Sequence, residues 1–227
     1  IKKTQSHTSI RLDKRNFSID DTLSITEIIL ENRNLEKIQL KRSNDNTNWI
    51  LNDSLIANQY LINLLLKTLK EMRIKKPIAR SALENVIKRM ATQNTKITIF
   101  KNNNKIESIY VGGETADQLG TFMMLENAKE PYVIHIPGFN GYLSSRFSCK
   151  ENNWISKQIF PHSLLNASYI FQSNDYFDTI NISDPSKLNS IYCEDFLSSH
   201  KEFDSEEIIA RNPFCVIEVM NRNKDYS

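Results

Sequence analysis

Glycine is confined to one stretch of this chain. All five glycines fall at positions 112, 113, 120, 138 and 141, and none lies before or after that window. Glycine is kept where a backbone needs positive φ or a close approach without a Cβ. The run from Val111 to Leu143 is therefore the shaped region of the molecule. The rest must be built from regular elements joined by turns rich in Asn, which tolerates the left-handed conformation better than other side chains.

The elements follow from hydrophobic period. Ile25, Ile28 and Leu30, then Ile38 and Leu40, alternate with polar residues around Asn32 to Asn34 and predict a β-hairpin, with Trp49-Ile50-Leu51 as a third strand. Asn52-Asp53-Ser54 offers caps for a helix over Leu55 to Met72, whose Leu61, Leu65, Leu69 and Met72 share a face with Ile62 and Leu66 beside them. Pro77 separates it from a second helix that Ser81 and Glu84 open with capping-box spacing and that Leu83, Val86, Ile87 and Met90 continue. A second hairpin, Ile97 to Lys101 and Ile106 to Val111, turns at Asn102 to Asn104. A third joins Phe122 to Leu125 with Tyr132 to Ile136. Thr115 to Gly120 is then an exposed connection, and Pro137 to Gly141 turns into a short helix near Tyr142 to Phe147. Beyond Trp154, Ala167 to Gln172 and Phe177 to Ile182 predict another hairpin, Leu188 to His200 a helix and Phe214 to Met220 a strand.

This pattern predicts an α+β fold of antiparallel hairpins packed with helices, in two repeated hairpin-plus-helix units of which the second is incomplete. Residues 1–16 read as a linker that joins the fold near Phe17 and Ile19, 17–150 as the first unit and 151–227 as the second.

Composition excludes some functions. Twenty-nine basic against 27 acidic residues leave a net charge of +2, no field for a nucleic-acid partner. No run of about 18 apolar residues predicts a membrane span within the sequence. Lys2, Lys3, Arg11, Lys14 and Arg15 are a basic bias which, beside an anchor, the positive-inside rule associates with the cytoplasmic side. Cys149, Cys193 and Cys215 have no metal-type spacing and read as reduced thiols, with Cys193 to Cys215 the one pairing to test.

Several runs carry a family resemblance: Phe17 to Thr22 with the following Ser-Ile-Thr-Glu-Ile-Ile, the Trp49 strand, the Pro77 to Met90 segment, Tyr110-Val-Gly-Gly-Glu-Thr-Ala-Asp-Gln-Leu-Gly-Thr121, and Tyr132-Val-Ile-His-Ile-Pro-Gly-Phe-Asn-Gly-Tyr142. Together they resemble the DUF4340 family as found in Bacteroidetes, from about Phe17 to at least Phe160 and more weakly beyond. The resemblance implies an α+β extracytoplasmic domain on the periplasmic face of the inner membrane. A membrane helix preceding this segment would tether it, beside ABC-type transport and gliding-motility components. No catalytic residues are established for that family, and none are carried over.

The residues themselves point the same way. Glu114, Asp117 and His135 are the types that bind a divalent metal or move protons, but only one histidine is near and no ligand pair has metal spacing. Gly112 to Thr115 lacks the strand-to-helix context and lysine of a phosphate loop, and Ser144, Ser145 and Cys149 lack a nucleophile's setting. Lys75, Lys76, Arg80, Lys88 and Arg89 form either a basic patch or a solvated face. The candidate partner-binding residues are Glu114, Asp117, Gln118, Phe139, Asn140 and Tyr142, on two glycine-bearing loops, with Phe139 and Tyr142 otherwise read as plugs at the sheet end. The expectation is a non-enzymatic, membrane-tethered scaffold or accessory subunit of an envelope complex, with a transporter among the candidate protein partners, and with no cofactor, metal or nucleic acid. The alternative is a binding or hydrolytic domain acting on an envelope glycan or peptide through the same loops.

Overall fold

The computed structural model describes residues 16–160, 164–173, 176–182, 184–194, 206 and 215–221. The chain divides into two compact units, with the boundary in sequence between Ser156 and Lys157.

The first unit is a nine-stranded sheet with two helices: β1 (Glu27–Asn32), β2 (Lys37–Arg42), β3 (Trp49–Leu51), β4 (Leu55–Ile56), α1 (Gln59–Glu71), β5 (Arg73–Pro77), α2 (Arg80–Thr92), β6 (Thr95–Lys101), β7 (Asn104–Glu114), β8 (Thr121–Leu125) and β9 (Tyr132–His135). The strand order is β4-β3-β2-β1-β6-β7-β8-β9-β5, antiparallel at every pairing. The three predicted hairpins form. In the second, Asn102 and Asn103 both take positive φ, 47° and 65°, the two-residue turn whose twist matches the flanking strands.

Alternation along the strands puts Ile28, Leu30, Ile38, Leu40, Ile97, Ile99, Ile109, Met123 and Ile134 into one core with Ile62, Leu65, Leu69 and Met72 of α1. Phe17 enters this core edge-on to Tyr132, with ring centroids 6.2 Å apart. Val133 points the other way. With Val86 and Met90 of α2 it is buried outside the main cluster, so the two helices cover opposite faces of the sheet.

Four local expectations are corrected. The first helix begins at Gln59, capped by Asn58, whose side chain accepts from the Tyr60 and Leu61 amides; Asn52 and Asp53 take φ of 48° and 64° and turn β3 into β4 instead. Arg73 to Pro77 is an edge strand on β9, where only a break between two helices at Pro77 was expected. The capping box is not made: α2 starts at Arg80 after Ala79 with no side-chain cap, and Glu84 pairs forward with Lys88 at 2.8 Å. Gly112 and Gly113 lie inside β7, at a register shift that places one extra residue opposite β8. A Cβ on Gly112 would lie 2.8 Å from Met90 Cγ, so this glycine admits α2 to the sheet.

The sheet edges are closed to strand addition. β5 carries Arg73, Lys75 and Lys76 and a bulge, and β4 is two residues long with its Ile56 carbonyl taken by Ser156 N. Trp154, 3 % exposed, keeps residues 151–156 in this core.

The second unit is a three-stranded sheet of β10 (Leu164–Ser173), β11 (Tyr176–Ile182) and β12 (Cys215–Asn221) in the order β11-β10-β12. A 3-10 segment, Pro185–Ser190, is capped by Asp184, and a bridge joins Gln158 to Tyr192. The helix predicted over Leu188 to His200 is corrected where it is described: Leu188 to Ser190 only end the 3-10 segment, Ile191 is extended and Tyr192 is in the bridge to Gln158, while 195–200 lie outside the described residues. Cys149 and Cys193 are free thiols, so the Cys193 to Cys215 bridge is not formed.

Candidate functional site

The site candidates sit at one end of the sheet because of how β8 and β9 pair. Thr121 opens β8 and stands opposite Ile134 near the end of β9, so the loop before β8 and the loop after β9 leave together. Arg73 pairs with His135, bringing the end of α1 to the same place.

The first loop, 115–120, is held by its own polar groups. Thr115 N donates to the Gly120 carbonyl at 2.9 Å and Gln118 N to the Thr115 carbonyl at 2.8 Å, with Gln118 at φ 55°. The Asp117 carboxylate accepts from Thr115 Oγ1 and from Leu119 N at 3.1 Å. These bonds, with Lys75 and Lys76 nearby, hold its pKa below the ordinary carboxylate value. Lys75 Nζ donates to the Leu119 carbonyl at 2.9 Å. Asp117 is therefore a brace of its own loop. Glu114 is exposed at the end of β7. His135 is half-buried on β9, and burial, then Lys75, lowers its pKa.

The second loop is built on a type II turn. Ile136, Pro137, Gly138 and Phe139 close with Phe139 N donating to the Ile136 carbonyl at 3.0 Å, Pro at the second position and Gly138 at φ 79° at the third, where this turn requires positive φ. The chain then bends so that the Phe139 ring lies on Gly141; a Cβ there would stand 2.9 Å from the ring. On the ring's cationic side is Arg146, with its guanidinium carbon 4.6 Å from the centroid. Leu143 N donates to Thr121 Oγ1 at 2.6 Å, both residues fully buried, and this ties the loop to β8. Residues Ser144–Phe147 form a 3-10 turn that inserts Phe147 into the core, 1 % exposed.

Arg146 is the residue that sequence reasoning missed. Its Nη1 donates at 2.8 Å to Thr68 Oγ1, a hydroxyl buried in α1 that itself donates to the Leu64 carbonyl at 2.7 Å. Burial lowers the pKa of the guanidinium, opposed by Glu71 and Tyr60. None of the ion pairs among the described residues includes it. Beside it Phe139 is 38 % and Tyr142 37 % exposed, and Asn140 is exposed. No sequence signal announces a cation–π stack across seven residues.

The structure thus brings Asp117, Gln118, Phe139, Asn140 and Tyr142 to one sheet end, with Glu114 at its margin. Among the described residues no group of three His, Cys, Asp or Glu side chains is placed to hold a metal ion. A cleft of about 260 Å³ lies away from these loops, lined by Glu31, Arg33, Lys96 and Tyr110 among others, and its Lys96 is already paired with Glu126 at 2.8 Å. The basic residues around α2 do not act together: Lys88 is paired with Glu84 and Lys75 serves the first loop. No described helix is long and apolar enough to cross a membrane. No family model, curated protein or solved structure matches the chain.

Proposed function

We propose that this chain is a non-enzymatic accessory or scaffold domain that binds a protein partner through the sheet end formed by the loops 115–120 and 136–147. The observation that carries this reading is the Phe139–Arg146 stack, with the half-exposed Tyr142 on the same loop. Tyr and Arg are the side chains that dominate binding at protein interfaces, and here Tyr142 and the stack stand half out of water on a rigid base. The alternative is a domain that binds or hydrolyses an envelope glycan or peptide, and its hydrolytic form needs a convergent acid–base group. Asp117 is committed to its own loop, which favours the first reading.

The resemblance to the DUF4340 family supplies the setting. In this proposal the domain is tethered by a membrane helix outside the segment, faces the periplasm from the inner membrane, and serves an envelope assembly such as an ABC-type transporter or the gliding machinery. The two hairpin-plus-helix units are repeats of one module, the second incomplete. Supporting this is the order β2-β1-β6, which recurs as β11-β10-β12: in each, a later strand returns beside the first strand of a hairpin.

Affinity purification of the full-length, membrane-inserted protein tests the reading. Stoichiometric recovery of an envelope protein is expected. Recovery of the protein alone, under conditions that keep known envelope assemblies intact, would contradict it.

A further inference from the structure

We propose that Arg146 is a carboxylate-recognition site that reads a Glu or Asp side chain of the bound protein partner. One face of the guanidinium lies on the Phe139 ring at 4.6 Å, and one terminal nitrogen, Nη1, is tied to Thr68 at 2.8 Å. No hydrogen bond from Nε or Nη2 to a described residue accompanies these contacts. That edge is the planar two-donor fork which matches the two oxygens of a carboxylate.

The stack and the Thr68 bond fix the side chain, so little rotamer freedom is left to lose on binding. The thiol of a cysteine or the ammonium of a lysine would present no such fork. Partial burial disfavours the charged guanidinium, Glu71 offsets this without forming an ion pair, and an incoming carboxylate would offset more of it. Glu71 bears on Arg146 electrostatically without closing an ion pair, which makes it an internal competitor. The half-exposed rings of Phe139 and Tyr142 set the flanking preference, for apolar residues beside the acidic one.

A purely structural role, bracing the loop on α1, accounts for the Thr68 bond. It leaves the free fork without a purpose. The assignment rests on the protein-partner reading for the identity of the ligand class, and its own test does not use the partner. The probe is the peptide acetyl-Leu-Glu-Leu-amide, titrated at constant ionic strength against the whole domain while the Arg146 Nε–Hε resonance is followed by NMR. A saturable shift with a dissociation constant of about 1 mM is expected. The Gln peptide should bind at least about tenfold more weakly, and inorganic phosphate and glucuronate, anions without the flanking apolar side chains, should both bind more weakly than the Glu peptide.

Read on the backbone amide resonances of residues 139–147, which every variant retains, Arg146→Lys and Phe139→Leu should each weaken the Glu peptide about tenfold, whereas Glu71→Gln should tighten it about threefold. The variant at the half-exposed Phe139 keeps the test usable if the Arg146 variant unfolds. Equal binding of the Glu and Gln peptides, no saturable shift, or tighter binding of phosphate or glucuronate would each overturn the assignment. Recovery of no partner in the purification above, with a selective Glu-peptide shift here, would sink the accessory-subunit reading and leave the carboxylate site standing.

Discussion

The loops 115–120 and 136–147 leave the same end of one sheet, and both use a residue at positive φ, yet they dispose of their charged groups in opposite ways. The first ties its carboxylate, its hydroxyl and a neighbouring lysine into bonds that hold its own backbone. The second holds a half-buried arginine by one terminal nitrogen and one ring, with no hydrogen bond from its Nε or Nη2 to a described residue. A charged residue on a glycine-bearing loop marks a site only when its hydrogen bonds are not already engaged within the loop.

The largest expected effect separates the two loops by their attachment. Thr121→Val removes the acceptor of the buried Leu143 amide and should cost about 1–3 kcal/mol in urea unfolding, the penalty for an unsatisfied buried donor. A cost indistinguishable from zero would show that the second loop is not held as described.

Next is the strain at positive φ. Gly138→Ala meets open space but forces a left-handed Ala, for about 1–2 kcal/mol. Gln118 already accepts that conformation in the first loop, so Gln118→Gly should stabilise by about a few tenths of a kcal/mol at most, because the relieved strain is offset by a freer unfolded chain. Equal and opposite effects at the two positions would erase the distinction.

Glu126 provides the case of a fully satisfied charge. It closes the far end of the β8–β9 hairpin, bonded to Lys105 and to Lys96, and these bonds lower its carboxyl from an ordinary value near 4.5 to about 2. A depressed folded-state pKa contributes stability that is present above the unfolded value and disappears as pH falls through the folded one. Glu126 should therefore contribute on the order of 1 kcal/mol, allowing for solvent screening, fully present above about pH 4.5 and lost toward pH 2. Unfolding curves of Glu126→Gln should lack that part of the acid dependence; an unchanged slope would show the pair to be inert.

The smallest effect belongs to the exposed Asp117. Asp117→Asn should leave the unfolding midpoint unchanged within error and speed hydrogen exchange of the Leu119 amide, its partner. A large midpoint change would make the first loop part of the core.

What was legible in the sequence tracks how local the physics is. Period-two runs and the Asn102-Asn103 turn specify hairpins through neighbours alone, and all three hairpins of the first unit form. Arg73-Ile-Lys-Lys-Pro77 carries charge and a proline and reads as a break between two helices; only its pairing with β9, distant in sequence, makes it a strand. Asn52-Asp53-Ser54 has capping chemistry, but the left-handed backbone there uses it for a turn, and Asn58 caps the helix three residues before Leu61, the first of the predicted apolar stripe. Phe139, Asn140 and Tyr142 were readable as aromatic and amide groups on a glycine-bent loop. Arg146 and Thr68 were not, because their contact joins a 3-10 turn to a helix 78 residues earlier.

The central claim is that a protein partner docks on the sheet end that carries Phe139, Tyr142 and Arg146. Site-specific photo-cross-linking tests it most directly: a benzophenone amino acid placed at Tyr142 in the full-length, membrane-inserted protein, with Asn103 at the opposite end of β7 as the control position. The account predicts one discrete cross-linked protein from position 142 and none from position 103. Cross-links of equal yield from both positions, or from 103 alone, would contradict it.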